Sequence, residues 1–267
     1  MADGLFMKYK LTIEYDGTRY SGWQAQLHSK TIQGTIMQAS KQLFGNALEI
    51  QGAGRTDAGV HALAQVAHLS LTKEIQEKNI QYGLNDLLPS DINILNVEKT
   101  YERFHARHSA ISRSYVYQIS KRRTAFAKEY VWWIKDELNV SSMKEASEFL
   151  LGMHDFVSFT DKRLEKGNST QCFVESVQLA EVDEMILLRV RASHFLWKMV
   201  RRIVGTLVEI GRENFYPDSI TYMLENETNE FAEFTAPPSG LFLEQILYEK
   251  EKWNEALAPA IPLTMRR

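Results

Sequence analysis

Near the start of the chain, Tyr9, Leu11, Ile13 and Tyr15 alternate with Lys10, Thr12 and Glu14, the period-two pattern of a strand with one buried face. Asp16-Gly17 ends it, and Ser21 to Lys30 carries no period and reads as irregular. Ile32, Ile36, Ala39 and Leu43 then recur at helical spacing, with Gly45 placed to stop the helix. Farther on, Leu48 and Ile50 precede a glycine-rich stretch, and Val66, His68 and Ser70 follow it with Ala67 and Leu69 on the opposite face. That arrangement predicts strand, structured loop, strand. Glu74 to Leu88 is helix or loop punctuated by Pro89 and Asp91, and Ile92, Ile94 and Val97 predict another strand.

A second batch of elements follows. Tyr115, Tyr117 and Ile119 share one strand face and Val116 and Gln118 the other. Trp132-Trp133 and Leu138 lead to a helix from about Ser142, where Ser142 and Glu145 fit a capping box and Gly152 a terminator. Val174 to Glu181 and Met185 to Ala192 predict a hairpin turning at Val182-Asp183-Glu184. Leu196, Met199, Val200, Ile203, Leu207 and Ile210 form the apolar arc of a helix, and at about 100° per residue Lys198, Arg201 and Arg202 fall outside it as a basic edge. Pro217 to Leu224 predicts a short helix, and Pro237-Pro238-Ser239-Gly240 precedes a last apolar stretch, Leu241 to Tyr248. Two batches of strands, each with an amphipathic helix, predict an α+β fold of two modules with mostly antiparallel sheets flanked by helices. The boundary falls near residues 105 to 112, dividing the chain as 1–106 and 107–267, with a cleft between the modules as the expected place for a large ligand.

Composition narrows the chemistry. The 267 residues are 44% hydrophobic and 24% charged, ordinary for a globular protein, with no apolar run near the roughly 18 residues of a membrane span. The start, Met1-Ala2-Asp3-Gly4, lacks a basic region followed by a hydrophobic one, so a cytoplasmic protein with no membrane partner is expected. The single cysteine, Cys172, excludes an internal disulfide or a multi-cysteine zinc site, and beside Phe173 it is expected to be buried. Net charge is −3, against a polyanionic partner, but its distribution points the other way. Arg103, Arg107, Arg113, Lys121, Arg122, Arg123 and Lys128 occur without an intervening acid, while Glu74, Glu77, Glu225, Glu227, Glu230 and Glu233 lie well away. A local basic zone on an acidic protein suits selective phosphate binding, and equally a solvated basic face.

The stretch Gly52-Ala53-Gly54-Arg55-Thr56-Asp57-Ala58-Gly59-Val60-His61-Ala62 carries the candidate chemistry. Its glycines permit backbone angles closed to other residues, so a tight loop between strands could hold the Asp57 carboxylate in one pose, with Arg55 nearby to favour its ionised form. Composition alone reads the same loop as a turn in which Asp57 caps backbone amides and Arg55 pairs with it. His61 and His68 suit hydrogen-bonded structural roles, and Asp155 a turn. Tyr115 beside arginines could be a stacking platform for a base or an ordinary core residue.

Several motifs, taken in order, resemble the tRNA pseudouridine synthase A family. They are Tyr15-Asp16-Gly17 with Gly22-Trp23-Gln24 and Ile32-Gln33, the Gly54 to Ala62 stretch, and Phe104-His105-Ala106-Arg107 with Arg113-Ser114-Tyr115-Val116-Tyr117. Phe195 to Arg201 with Val204-Gly205, and Ala236 to Leu241, complete the series. The resemblance implies a pseudouridine synthase fold, isomerisation of uridine to pseudouridine at positions 38, 39 and 40 of the tRNA anticodon stem-loop, no metal or other cofactor, and a homodimer. By the same resemblance Asp57 matches the catalytic aspartate, Tyr115 the tyrosine that stacks on the target base, and Arg55 and Arg201 arginines lining the site. His105, Arg107, His108, Lys121, Arg122 and Arg123 are candidates for the RNA surface. Ala25 departs from the family, many of whose members carry a basic residue there, which bears on RNA grip and substrate range. The alternative is a non-catalytic RNA-binding or RNA-folding protein, which would not need Asp57. A hydrolase would need a phosphate cradle or metal cluster that the motifs lack.

Overall fold

The computed structural model describes residues 6–45, 49–161 and 169–263, so Leu48 and the Arg266-Arg267 tail lie outside the described residues. The strands in chain order are β1 (Met7–Tyr15), β2 (Glu49–Gly52), β3 (His61–Leu71), β4 (Ile92–Thr100), β5 (Ser112–Ser120), β6 (Trp132–Trp133), β7 (Gly152–Asp155), β8 (Gln171–Val182), β9 (Met185–Ala192) and β10 (Leu241–Leu247). The helices are α1 (Ile32–Phe44), α2 (Glu77–Leu87), α3 (Val140–Glu148), α4 (Met199–Gly211) and α5 (Ser219–Glu225). The fold is α+β with mostly antiparallel strand pairing, as expected. The chain groups into two compact units, one of Met1–Ile111 with Leu243–Lys252 and one of Ser112–Phe242 with Trp253–Arg267.

In the first unit β1 lies between β3 and β4, antiparallel to both, β2 pairs with β3, and β10 follows β3 in the strand order. Tyr9, Leu11, Ile13 and Tyr15 are buried on the predicted face of β1 and belong to the core with Ile32, Ile36, Leu69, Ile80 and Leu84. The three-residue step from Ile94 to Val97 has a local cause. Leu11 pairs with Val97 but Ile13 with Ile94, so a bulge absorbs the extra residue of β4 and keeps both side chains inside.

In the second unit β9 lies between β5 and β8, β7 follows β8, and the two-residue β6 runs parallel to the end of β5. The β8–β9 hairpin turns at Asp183, whose φ of 51° is left-handed. Two expectations change here. Helix α3 begins before Ser142: Asn139 is its cap, accepting from the Ser142 amide at 3.1 Å, so Ser142 lies inside the first turn. Finally, α4 has no exposed basic edge at Arg202, which is 7% exposed and donates through Nη1 to the Ser158 carbonyl at 3.2 Å and to the Thr160 carbonyl. A helical wheel marks Arg202 as polar, but the chain supplies carbonyls that make burial tolerable.

Two buried arginines of β9 fasten the extended segment 253–263. Arg189 donates to Gln178 Oε1 at 3.1 Å and to the carbonyls of Glu255 and Ala256 at 3.2 and 2.7 Å. Arg191 reaches Glu255 Oε2 at 3.1 Å and the Asn254 carbonyl at 2.7 Å, with its guanidinium 4.8 Å from the Trp253 ring centre. Leu257 and Leu263 then close over Val131, Met185 and Leu187.

Candidate active site

The loop between β2 and β3 carries Arg55, exposed, Thr56, buried, and Asp57, half-buried. Its shape comes from three backbone contacts. Ala53 donates to the Val66 carbonyl at 2.8 Å, Trp23 donates to the Thr56 carbonyl at 3.1 Å, and Val60 donates back to the Asp57 carbonyl at 3.2 Å. The last of these closes a turn with Gly59 at the third position and φ of 78°, the position at which a type II turn needs a left-handed residue. The other two glycines of the loop act differently. Gly52 leaves room for Trp23, whose ring would lie 2.5 Å from an added Cβ, and Gly54 faces open space. The chain after β1 is shaped to receive the loop: a Cβ at Gly22, where φ is 91°, would meet the Thr56 carbonyl oxygen at 2.6 Å.

Side chains brace the same loop. The Tyr15 phenol and Thr56 hydroxyl oxygens are 2.8 Å apart, and Gln65 Nε2 donates to the Gly54 carbonyl at 3.0 Å. Burial raises the Tyr15 phenol far above its ordinary value, so it stays protonated and neutral. Tyr20 donates to Asp91 at 2.6 Å while its carbonyl accepts from Gly59, and burial followed by the Asp91 carboxylate raises its phenol likewise. Tyr15, Thr56, Gln65 and Trp23 belong to no candidate site in the sequence reading. The signal for Tyr15, Trp23 and Thr56 was the motifs that resemble the family, Tyr15-Asp16-Gly17, Gly22-Trp23-Gln24 and Gly54 to Ala62, from which only Arg55 and Asp57 were assigned to a site.

His61 and His68 each accept a hydrogen bond from a backbone amide. His61 Nδ1 accepts from the Gly17 amide at 3.1 Å, so its 3.1 Å approach to Asp16 Oδ1 is not an ion pair while that bond stands. His68 Nδ1 accepts from the Ala106 amide at 3.2 Å, and burial lowers its pKa. Asp155 caps a turn by accepting from the Val157 amide at 3.0 Å. Cys172 is fully buried, and burial pushes its thiol up.

In the second unit Tyr115 lies on β5, 8% exposed, with its ring edge-on to Phe195 at 5.0 Å. Arg201, half-buried on the first turn of α4, donates through Nε to the Ala236 carbonyl at 2.7 Å, and Tyr117 donates to the neighbouring Pro237 carbonyl at 2.8 Å. The guanidinium therefore sits against the segment that ends in Pro238-Ser239-Gly240. Arg55 and Asp57 share one loop, and Tyr115 and Arg201 belong to the other unit. Among the described residues no group of three or more His, Cys, Asp or Glu is arranged to hold a metal ion.

Residues 11–109 and 146–249 match a family model described as tRNA pseudouridine synthase. The chain belongs to this tRNA pseudouridine synthase family. It is similar to tRNA pseudouridine synthase A 2 of Bacillus cereus, 39% identical over 241 residues that cover 89% of this chain and 98% of the relative. It is also similar to tRNA pseudouridine synthase A of Brucella ovis, 40% identical over 253 residues covering 90% and 98%. Within the synthase-matched stretches lie Arg55, Asp57 and Arg201, whereas Tyr115 falls between them.

Proposed function

We propose that this chain isomerises uridine to pseudouridine in tRNA with Asp57 as the catalytic carboxylate, acting at positions 38, 39 and 40 of the anticodon stem-loop. The reaction breaks the bond from ribose C1′ to uracil N1, turns the detached base and forms a bond from C1′ to C5; C5 gives up its proton and N1 gains one, so the product is an isomer. It has no net redox change and no hydrolysis, so a carboxylate and a shaped site suffice chemically. The observation that carries the reading is the Asp57 loop, whose Thr56 and Asp57 carbonyls are both held by backbone donors, in a chain of this family. A target base buried in a stem must leave the stack to be reached. In this reading Tyr115 stacks on it and Arg55 and Arg201 bind the surrounding RNA, with the module to residue 106 carrying the catalytic loop and the remainder supplying the other two. The protein works in the cytoplasm as a homodimer, which doubles the basic surface facing one tRNA.

The test is to map pseudouridines in tRNA treated with the protein and with Asp57→Ala. Product at positions 38 to 40 with the first, and none with the second despite retained tRNA binding, is the expected result. Pseudouridine made by Asp57→Ala would refute the assignment, and an inactive wild-type protein that anneals RNA would favour an RNA-folding role.

A further inference from the structure

Behind the Asp57 loop lies a buried polar group with no place in the reaction. Tyr15 and Thr56 meet at 2.8 Å with Tyr15 4% and Thr56 6% exposed, and Gln65 ties Gly54 from β3. A phenol and a hydroxyl this deep cost stability unless each satisfies the other, and an apolar pair of the same size would fill the space. The strand pairing also shifts register beside them. Ile13 pairs with Gln65 but Tyr15 with Ala62, so the β1–β3 ladder carries an irregularity just before Tyr15, the last residue of β1. Bulges of this kind re-aim a side chain. The Trp23 ring, 6.0 Å from that of Tyr15, closes the other side, and its amide holds the Thr56 carbonyl.

We propose that Tyr15 is a positioning residue whose phenol, hydrogen-bonded to Thr56 Oγ1, fixes the peptide leading into Asp57 and so sets the direction of the carboxylate. This rests on the assignment of Asp57 as catalytic. Thr56 has its side chain engaged by Tyr15 and its carbonyl by Trp23, and the residue after it is held by the turn that Val60 closes. Only the first is a side-chain bond that substitution can remove without touching the backbone. Tyr15 remains neutral, so it acts as a fixed dipole and its contribution does not vary with pH in the working range.

The variants are Tyr15→Phe, which removes one oxygen, Thr56→Val, which replaces a hydroxyl by a methyl, their combination, and Thr56→Ser, which keeps the hydroxyl. Tyr15→Phe and Thr56→Val should each lower kcat about ten- to a hundred-fold with KM for tRNA unchanged, the scale set by a misplacement of about 1 Å. The pair should be no worse than the poorer single, and Thr56→Ser should stay near wild type. Hydrogen exchange gives a readout that needs no turnover: the Val60 amide, which reports the turn at Asp57, should exchange faster in both singles and not in Thr56→Ser. Wild-type kcat in folded variants, equal rises in KM, multiplying effects in the pair, or unchanged Val60 exchange would each overturn the proposal. So would failure of both singles to fold, since the hydroxyls would then be structural. A wild-type protein that makes no pseudouridine would refute the functional reading instead, and Val60 exchange would still judge the positioning.

Discussion

Buried polar side chains carry the sharpest consequences for single substitutions. Replacing Arg202 by Met strips donors from the Ser158 and Thr160 carbonyls inside the second unit, at a cost of about 2 kcal/mol, and a urea titration should show an earlier midpoint. His68 makes stability depend on pH. Burial lowers its folded pKa below 6.5, so at acidic pH the unfolded chain binds more protons than the folded one and stability falls as pH drops below that value. The neighbouring His105 is shifted in the same direction, by burial first and then by His68 and His108, and adds to the slope. His68→Asn, whose amide oxygen can accept from Ala106, should flatten thermal stability against pH over that window; an unchanged slope would exclude His68 as its source. At Tyr115, Phe should be milder than Ala in turnover if the ring stacks on the target base, and equal losses would count against stacking.

At Gly205 helix α4 passes close to the Phe234 backbone, since an added Cβ would lie 1.3 Å from the Phe234 carbonyl oxygen. The helix cannot yield there without breaking the bond from Ala236 N–H to the Arg201 carbonyl at 3.0 Å. Gly205→Ala should therefore cost at least the roughly 3 kcal/mol at the upper end of overpacking effects, read as loss of soluble protein or a much earlier denaturation midpoint. Truncation after Lys252 removes two carbonyl acceptors of Arg189, a fully buried cation that keeps Gln178, and should unfold the second unit before the first, which limited proteolysis would reveal. Elements with a clean period were legible without coordinates: β1, α1 and the β8–β9 hairpin fall where alternation or helical spacing put them, whereas β10 shows in the sequence only as an apolar stretch. The cap of α3 was missed because Ser142 and Glu145 satisfy a capping pattern, while Asn139, three residues earlier, holds the Ser142 amide. The burial of Arg202 was missed because a wheel projection contains no partner chain segment to receive the side chain.

Charge and return of the chain belong to the molecule as a whole. Of the basic zone, Lys121 is paired with Glu181 at 3.0 Å and Arg113 is spent on the Ser193 carbonyl at 2.7 Å, while Arg103, Arg107 and Arg123 carry exposed or half-exposed side chains. Arg123 lies 5.8 Å from the Trp133 ring centre, with Phe126 84% exposed close by in sequence. Arg122→Gln with Arg123→Gln should weaken tRNA binding and reduce the slope of log affinity against log salt by roughly 1 to 2, with kcat at saturating tRNA retained. An unchanged slope would remove this stretch from the RNA surface. Residues 243–252 return to the first unit between two stretches of the second, and there Tyr248 donates to the Ala106 carbonyl at 2.7 Å. No local pattern in that segment distinguishes a return from a continuation.

Periodicity and ordered motifs carried the α+β class, the succession of strands and helices, and the loop that holds Asp57, because each depends on neighbours within a few residues. Which buried polar groups find partners was decided in three dimensions. Arg189 needs carbonyls 66 and 67 positions away, and Thr56 needs a phenol 41 positions before it. A polar side chain reads as exposed until the acceptor that offsets its loss of water is in place, and that acceptor comes from the path of the folded chain.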